Sequence, residues 1–426
     1  MKSMADELEY IKRPAPPLTA EAAAIEEVVR GIVRAVRDEG DLAVRRYSQM
    51  FDHYDGEALE VGTAEREAAV AALDVQTRED TQFAIAQVRA FARAQHATIL
   101  PLEVTHLPGV HLGHRVIPIE RIGAYVPGGR YPILSAPIMT IVPAVVAGCR
   151  EIIACLPPNA HAAMIAGCHL SGATRIFRVG GAQAIAAMAF GTESIPPVDK
   201  IVGPGNAYVN AAKRQVFGQV GIDQLAGPSE IFIVADGSAN PRILAMDLLA
   251  QAEHDIHTRV GLITTDRKVA VQTLSEVQTQ LATLITANVA GVAWQNGGEI
   301  VYCKDETAMI DYANHIAAEH LQVHTADPHA TAGKLRNYGS LFIGQRASVV
   351  YSDKCCGTNH TLPTMRAGRY TGGLWVGSFV KICTHQWMEQ SGVEAVAPPA
   401  MRQSATEGME GHRRAAAARL SELFDT

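Results

Sequence analysis

The chain has 426 residues, 48% of them hydrophobic and 19% charged, so it can bury more than one core, and two or more domains are expected. Its net charge of −7 supplies no basic stripe for nucleic acid, so a small molecule is the expected partner. Seven cysteines, without CxxC spacing or a secretory signal, indicate a reduced cytoplasmic compartment.

The first hundred residues are predicted to form a helical arm that leads into a sheet domain, with charged amphipathic helices over 22–51 and 78–95. Residues 1–23 are delimited as an N-terminal arm. The next apolar stretch, 131–149, is uncharged and imitates a membrane span. Because its three prolines would interrupt a spanning helix, it is predicted to be a buried helix of an α/β layer. No membrane partner is therefore expected.

Beyond residue 120, short runs rich in β-branched residues alternate with helical stretches. Such alternation predicts parallel sheets with helices on their faces. The predicted strands lie at 121–126, 151–156, 175–180, 199–203, 230–236, 259–265, 299–304 and 341–344. So many strands indicate an α/β fold with two sheets, each in a doubly wound domain, and with small helical segments at both termini.

Three glycine clusters, at 126–130, 179–183 and 202–208, each follow a predicted strand and precede a helix. Such turns expose backbone N–H groups to an anion, as a phosphate-bearing cofactor requires. None is a full dinucleotide fingerprint, since the third has Tyr208 where the last small residue belongs. The clusters are therefore either nucleotide loops or tight turns between strand and helix.

Gln251 and His254 lie three residues apart on a predicted helix, so both can project from one face and bind one ion. Zinc accepts mixed nitrogen and oxygen ligands, and a catalytic zinc site keeps a position open for substrate. The same spacing is also typical of a surface pair or a helix cap. Further ligand or acid–base candidates are Glu319, His320, Asp353, His360 and His412.

The run from Val179 to Asp236, followed by LLAQAEH, AAEHL and GTNHTLPT, resembles the histidinol dehydrogenase family. The likeness extends from about residue 25 to His412. It implies a zinc-dependent, NAD-linked enzyme that oxidises a primary alcohol through an aldehyde to a carboxylate. It also implies a homodimer in which the last segment of one subunit completes the active site of the other.

The resemblance also assigns roles to residues at matching positions. The implied zinc ligands are Gln251, His254, Asp353 and His412, the last supplied by the partner subunit. The implied NAD contacts are Tyr125, Gln183 and Asn206, and the implied substrate contacts are Ser229, His320, His360 and Glu407. His320 is suited to take the alcohol proton, and Glu319 to activate the water that attacks the aldehyde.

The implied architecture is two incomplete Rossmann-like domains. One comprises residues 24–124 and 229–374 and carries most zinc and catalytic residues, and the other comprises residues 125–228 and binds NAD. Residues 375–426 form a helical segment that completes the partner's site.

The segment after the GTNH motif, with Gly372, Gly373 and Trp375, is similar to a paralogous branch, the sulfopropanediol 3-dehydrogenases. This favours oxidation of 2,3-dihydroxypropane-1-sulfonate to 3-sulfolactate, whereas Glu407 favours the ammonium of histidinol. Candidate donors for a sulfonate are Arg130, His360, Arg366 and Arg369. A catalytically idle zinc- or nucleotide-binding paralogue is the third alternative.

Overall fold

The computed structural model describes residues 7–15, 22–56, 58–128, 132–225 and 227–420. The chain divides into two compact units, one covering Met1–Ala94 and Ile119–Phe379, the other Gln95–Pro118 and Val380–Thr426. The strands are β1 (Leu8–Lys12), β2 (Leu102–Leu107), β3 (Val110–Pro118), β4 (Arg121–Tyr125), β5 (Glu151–Leu156), β6 (Arg175–Arg178), β7 (Lys200–Val202), β8 (Gly221–Ile222), β9 (Glu230–Ala235), β10 (Arg259–Thr264), β11 (Gly298–Cys303), β12 (His320–His324), β13 (Ser340–Ile343) and β14 (Val380–Met388).

The helices are α1 (Ala22–Glu39), α2 (Asp41–Asp52), α3 (Thr63–Ala71), α4 (Val75–His96), α5 (Ser135–Ala147), α6 (Ala162–Ser171), α7 (Gly181–Phe190), α8 (Ala207–Val216), α9 (Pro241–Ala252), α10 (Arg267–Leu281), α11 (Ala287–Gly297), α12 (Glu306–Ile316), α13 (Pro328–Ala332), α14 (Val349–Lys354), α15 (Gln390–Thr406) and α16 (Glu410–Ala418). Two short 3-10 helices cover Ala367–Arg369 and Val376–Phe379.

The first unit contains two sheets, and each reverses its strand order once. The larger sheet has the order β1-β11-β10-β9-β12-β13, with β9 to β13 parallel and β1 antiparallel at the edge. The smaller sheet has the order β6-β5-β4-β7-β8 and is parallel throughout. The reversals lie between β9 and β12 and between β4 and β7. At such a reversal, open α/β sheets form a ligand crevice outside the carboxyl ends of the strands. The predicted α/β fold with parallel sheets is confirmed.

All eight strands predicted beyond residue 120 are present, as β4 to β7, β9 to β11 and β13. The termini differ from the prediction. The N-terminal arm contributes a strand, β1, that pairs with β11, and the C-terminal segment contains the nine-residue strand β14 before its helices. Both strands are fixed by partners far away in the sequence. Most residues of β1 are half-buried and most of β14 are exposed, so neither is a buried apolar run.

The N-terminal helices pack on the smaller sheet. Apolar residues of α1 and α2, including Val29, Val36 and Val44, share a core with Ile153 of β5 and Ile185 of α7. The predicted grouping of this region with residues 229–374 therefore differs from the observed packing, because the apolar stripe of α1 is buried against α7 and α8. The other predicted domain bounds remain a prediction.

The second unit is built on a small antiparallel sheet. Its strand order is β14-β3-β2, and most side chains of β2 and β14 are exposed in this chain. The two final helices, α15 and α16, pack against each other.

Within the apolar stretch at 131–149, Ser135–Ala147 form the buried helix α5, so the predicted buried helix is confirmed over these residues. Pro143 lies inside this helix and cannot donate the hydrogen bond that the carbonyl of Met139 would otherwise accept. In the described part of the chain, no helix combines the length and apolar character that a membrane crossing needs.

Candidate active site

One residue at the start of β9 holds both predicted acid–base side chains. The backbone N–H of Glu230 donates to Glu319 Oε2 at 2.7 Å, and its carbonyl accepts from His320 Nδ1 at 2.8 Å. All three residues are buried at the amino edge of the larger sheet, where β9 pairs with β12. Because Nδ1 is the donor, Nε2 of a neutral His320 carries the lone pair.

The protonation of His320 is dominated by its neighbours. Burial by itself would lower the pKa of His320, but the Glu319 carboxylate and then Asp353 raise it to about 9. Glu319 Oε2 lies 3.5 Å from His320 Nδ1. The carboxylates therefore stabilise the imidazolium that forms when His320 accepts a proton, and neutralising Asp353 would lower this pKa.

The Glu230 side chain connects the start of β9 to the neighbouring strand β10. Arg259 of β10 donates to Glu230 Oε1 at 3.0 Å, while burial raises the pKa of the Glu230 carboxyl. Ser229, the predicted substrate contact, is half-buried directly before Glu230, and its carbonyl accepts from the Arg259 N–H. Three strands thus converge on the acid–base pair.

The predicted zinc ligands of the first unit come from α9 and α14. Gln251 is buried in the last turn of α9, His254 follows that helix, and Asp353 is buried in α14. His254 Nε2 lies 3.7 Å from Asp353 Oδ2. That is too long for a hydrogen bond, whereas two atoms that each bind one zinc at about 2.0–2.2 Å lie roughly 3.3–3.6 Å apart.

The donor chemistry also fits a cation. Burial lowers the pKa of His254, which leaves the imidazole neutral, as a metal ligand must be. Among the described residues, no set of three or more His, Cys, Asp and Glu side chains is arranged to hold a metal ion. The predicted set does not require one within the first unit, because Gln251 is an amide and His412 belongs to the second unit.

His360 belongs to the same electrostatic cluster. Burial lowers its pKa, and the charges of Asp353, Glu319 and His320 all act on it. Its Nε2 is buried, with no hydrogen-bond partner in the described part of the chain. The Asp353 carboxylate raises the pKa of His254, His320 and His360 alike, so the three rings share one electrostatic environment.

Asn359 fixes the loop that carries His360. Its amide donates to the carbonyl of Met139 at 2.8 Å, the same carbonyl that Pro143 leaves without a helical donor. Its Oδ1 accepts from the Thr361 N–H at 2.9 Å. The GTNH motif is thus anchored to the proline-containing helix α5.

We expect Asn359→Ala to destabilise the protein by about 1–3 kcal/mol, because it leaves the buried Met139 carbonyl unpaired. The double variant with Pro143→Ala is the control, since alanine at 143 restores the N–H that this carbonyl lacks. Thermal or denaturant unfolding measures the effect. Equal costs in both backgrounds would contradict the proposed link.

A cavity of about 530 Å³ opens beside His254. It is lined by the end of α9, by residues of α4 and α5, and by Lys354. Lys354 and His254 line the same cavity, and the Lys354 ammonium lowers the pKa of His254 and of His360. Lys354 is not among the predicted site residues, although a cation directly after a ligand candidate is visible in SDKCC.

The predicted NAD contacts follow strands of the smaller sheet. Tyr125 ends β4, and Asn206 caps α8 directly after β7, so both flank the point where the strand order reverses. Asn206 Oδ1 accepts from two N–H groups of α8, which leaves its Nδ2 for a ligand. Gln183 lies in the first turn of α7, almost fully buried, and neither atom of its amide has a partner in the described residues.

Close packing explains one glycine of the third cluster. Gly203 has φ +118°, and a Cβ there would lie 2.1 Å from the Tyr125 carbonyl oxygen. The first cluster is only partly described, since Gly129 and Arg130 lie outside the described residues. The geometry is that of turns between strand and helix, with helix N-termini at the edge that a nucleotide would occupy.

Two predicted residues belong to the second unit. Glu407 caps the end of α15 and His412 lies in α16, and both are exposed in this chain. Their roles remain predictions.

Two of the arginines considered as sulfonate donors already donate hydrogen bonds to backbone carbonyls. Arg366 donates to the carbonyl of His315 at 3.0 Å, at the end of α12, and Arg369 donates to the Arg366 carbonyl. Arg130 lies outside the described residues.

The α/β fold, with its acid–base pair and glycine turns, has the features of a dehydrogenase. The chain belongs to the histidinol dehydrogenase family, because the family model of that name matches residues 18–420. Members of this family are NAD-dependent dehydrogenases.

Similar proteins carry two kinds of name. A histidinol dehydrogenase homolog from Mesorhizobium japonicum is 47% identical over 393 residues, or 91% of this chain and 79% of that protein. A sulfopropanediol 3-dehydrogenase from Ruegeria pomeroyi is 40% identical over 423 residues, or 98% of this chain and 97% of that protein. The crystal structure of histidinol dehydrogenase from Elizabethkingia anophelis matches with a TM-score of 0.90 at 34% identity, covering 96% of this chain and 94% of that chain.

Proposed function

We propose that this protein oxidises a primary alcohol through an aldehyde to a carboxylate, with two NAD consumed per turnover and zinc at the site. The proposal depends on one observation: the main chain of Glu230 hydrogen-bonds both Glu319 and His320, and the pKa of His320 responds to Asp353, which lies 3.7 Å from His254. An idle paralogue has no use for a buried acid–base pair beside such a ligand pair.

Gln251, His254 and Asp353 would hold the zinc, with His412 supplied by the partner subunit of a homodimer. Bound there, zinc would act as a Lewis acid towards the alcohol oxygen. His320 Nε2 takes the alcohol proton, since Nδ1 is engaged with the Glu230 carbonyl. Glu319 stabilises the resulting imidazolium, and it then takes a proton from the water that attacks the aldehyde.

The smaller sheet is proposed as a Rossmann-like domain for NAD. Its switch point lies between Tyr125 and Asn206, and the unpaired amide of Gln183 supplies a donor and an acceptor for the cofactor. The larger sheet, with the same order of its parallel strands, is proposed as the incomplete second half.

For the substrate we propose 2,3-dihydroxypropane-1-sulfonate. A sulfonate is a permanent anion and gains affinity from charge-assisted hydrogen bonds. Lys354 supplies such a donor on the wall of the cavity beside His254, and the Ruegeria pomeroyi relative is named for this substrate. Histidinol is the second candidate, because Glu407 offers a carboxylate for its ammonium and the Elizabethkingia anophelis structure is named for its oxidation.

Zinc-loaded protein assayed for NADH formation with each alcohol in parallel tests the proposal. We expect turnover of the sulfonate and little of histidinol. Robust histidinol oxidation without sulfonate turnover would reverse the assignment, and the absence of NADH with both would refute the proposed function.

We expect Lys354→Met to raise KM for the sulfonate by roughly ten- to a hundredfold, the effect of losing about 1.5–3 kcal/mol of a hydrogen bond to a charged group. The value of kcat should change little, because Lys354 is assigned to binding and not to proton transfer. Lys354→Arg, which keeps the charge, is the matched control. A similar rise in KM for histidinol would contradict the assignment.

A further inference from the structure

Polar side chains alternate with apolar ones along β12. His320, Gln322 and His324 point to one face of the sheet, and Leu321 and Val323 point to the other, because successive side chains of a strand alternate. The two apolar residues pack in the core beneath α12. The three polar residues lie on the other face of the sheet. They pair with residues of β9 whose apolar side chains pack against α9.

This row is buried without protein partners. Gln322 and His324 have no exposed surface, and neither their four polar side-chain atoms nor His320 Nε2 has a hydrogen-bond partner in the described chain. Each unpaired buried polar group destabilises the fold, because it loses its hydrogen bonds to water without gaining others. Ordered water, which binds where two to four polar atoms converge, would supply partners for the five polar atoms of this row.

The spacing suits such water. Alternate residues of a strand are about 6.6 Å apart, and one water with two hydrogen bonds of about 2.8 Å spans most of that distance. One water between each pair of polar side chains would complete a hydrogen-bonded chain from His320 to His324.

The row ends at a carboxyl group near the surface. His324 Nε2 lies 3.9 Å from Asp247 Oδ2, and the Ser348 hydroxyl donates to Asp247 Oδ1 at 3.0 Å. The Asp247 side chain is 14% exposed, whereas that of His324 is fully buried. Burial raises the pKa of Asp247 to about 6 and lowers that of His324 to about 4. Near neutral pH, His324 is therefore an uncharged ring with one N–H and one lone pair.

We propose that Gln322, His324 and the intervening waters form a proton path from His320 to Asp247 and the solvent. The path rests on the proposed function, in which His320 takes the alcohol proton while the hydride goes to NAD. The imidazolium returns its Nε2 proton to the first water, and Gln322 orients the waters. His324 accepts a proton on one ring nitrogen and releases one from the other, and the Asp247 carboxylate passes it to bulk water.

The test compares hydride transfer with proton release. Gln322→Leu and His324→Leu interrupt the row, and Val323→Ala on the opposite face of β12 is the control for damage to the strand. After rapid mixing with NAD and alcohol, NADH absorbance and a pH indicator follow the two events. We expect both Leu variants to delay proton release and lower kcat by at least roughly tenfold, less than the ~10²–10⁴ of a general base itself, with KM unchanged.

Added imidazole should restore part of kcat in the His324→Leu protein, an effect that a purely structural role would not give. Proton release that keeps pace with NADH in both Leu variants would overturn the path, as would the same delay in Val323→Ala. A high-resolution crystal structure without ordered water beside Gln322 would overturn it independently of activity. If the unaltered protein forms no NADH, the proposed function is refuted. The crystal structure would then still test whether ordered water lies beside Gln322.

Discussion

His254→Ala is expected to remove most of the bound zinc and nearly all activity while the fold stays intact. The imidazole lies 3.7 Å from the Asp353 carboxylate, at the spacing of two ligands on one ion. Changes in residues that merely support ligands cost roughly 10- to 100-fold in metal affinity or activity, so loss of a ligand should exceed that. The side chain is 35% exposed beyond the end of α9, so its removal creates no core cavity.

Zinc per subunit, NADH formation and thermal unfolding measure these effects. His257→Ala is the matched control, because His257 is an exposed histidine in the same loop. A His254→Ala protein that keeps stoichiometric zinc would show the ligand set to be wrong. Mixing this variant with His412→Ala tests the proposed shared site, since exchanged subunits would contain some sites with two unaltered halves.

The second large effect separates the two oxidation steps. Glu319→Gln should oxidise the aldehyde much more poorly than the alcohol, because an amide cannot deprotonate the attacking water. His320→Asn should slow the alcohol step as well, by roughly 10²–10⁴-fold, since the alcohol proton then has no positioned base. Single-turnover NADH formation from each substrate measures the two steps.

Binding of the aldehyde and zinc content serve as controls in both variants, because Glu319 and His320 share a main-chain anchor. Equal losses in both half-reactions for both variants would contradict the division of labour between them.

Sequence predicted the parallel strands because each is a compact apolar run between helices, as in β5 and β9. It missed β1 and β14 because their pairing with β11 and β3 depends on distant partners and not on an apolar pattern. It also grouped the N-terminal helices with the wrong sheet, since an amphipathic stripe shows that a helix is buried but not against what.

Some residues of the candidate site could likewise be selected from sequence motifs, whereas the contacts that position them could not. His254, Glu319 and Asp353 are in motifs with a recognisable order, so their selection needed no coordinates. The main-chain role of Glu230 depends on how β9 pairs with β12, some 90 residues away, and the role of Asn359 depends on a carbonyl 220 residues away. Such contacts arise from strand register and helix packing, which no local pattern encodes.

The two main-chain hydrogen bonds of Glu230 affect how Glu319 and His320 can move. One residue's N–H and C=O hold both acid–base side chains, so any small displacement of β9 shifts Glu319 and His320 together and preserves their separation. The proposed reaction, with two successive oxidations, would need the proton acceptor and the water activator in a constant relation while cofactor and intermediate exchange around them. A rigid pair on a shared anchor allows the surroundings to open and close between the two steps without realigning the chemistry.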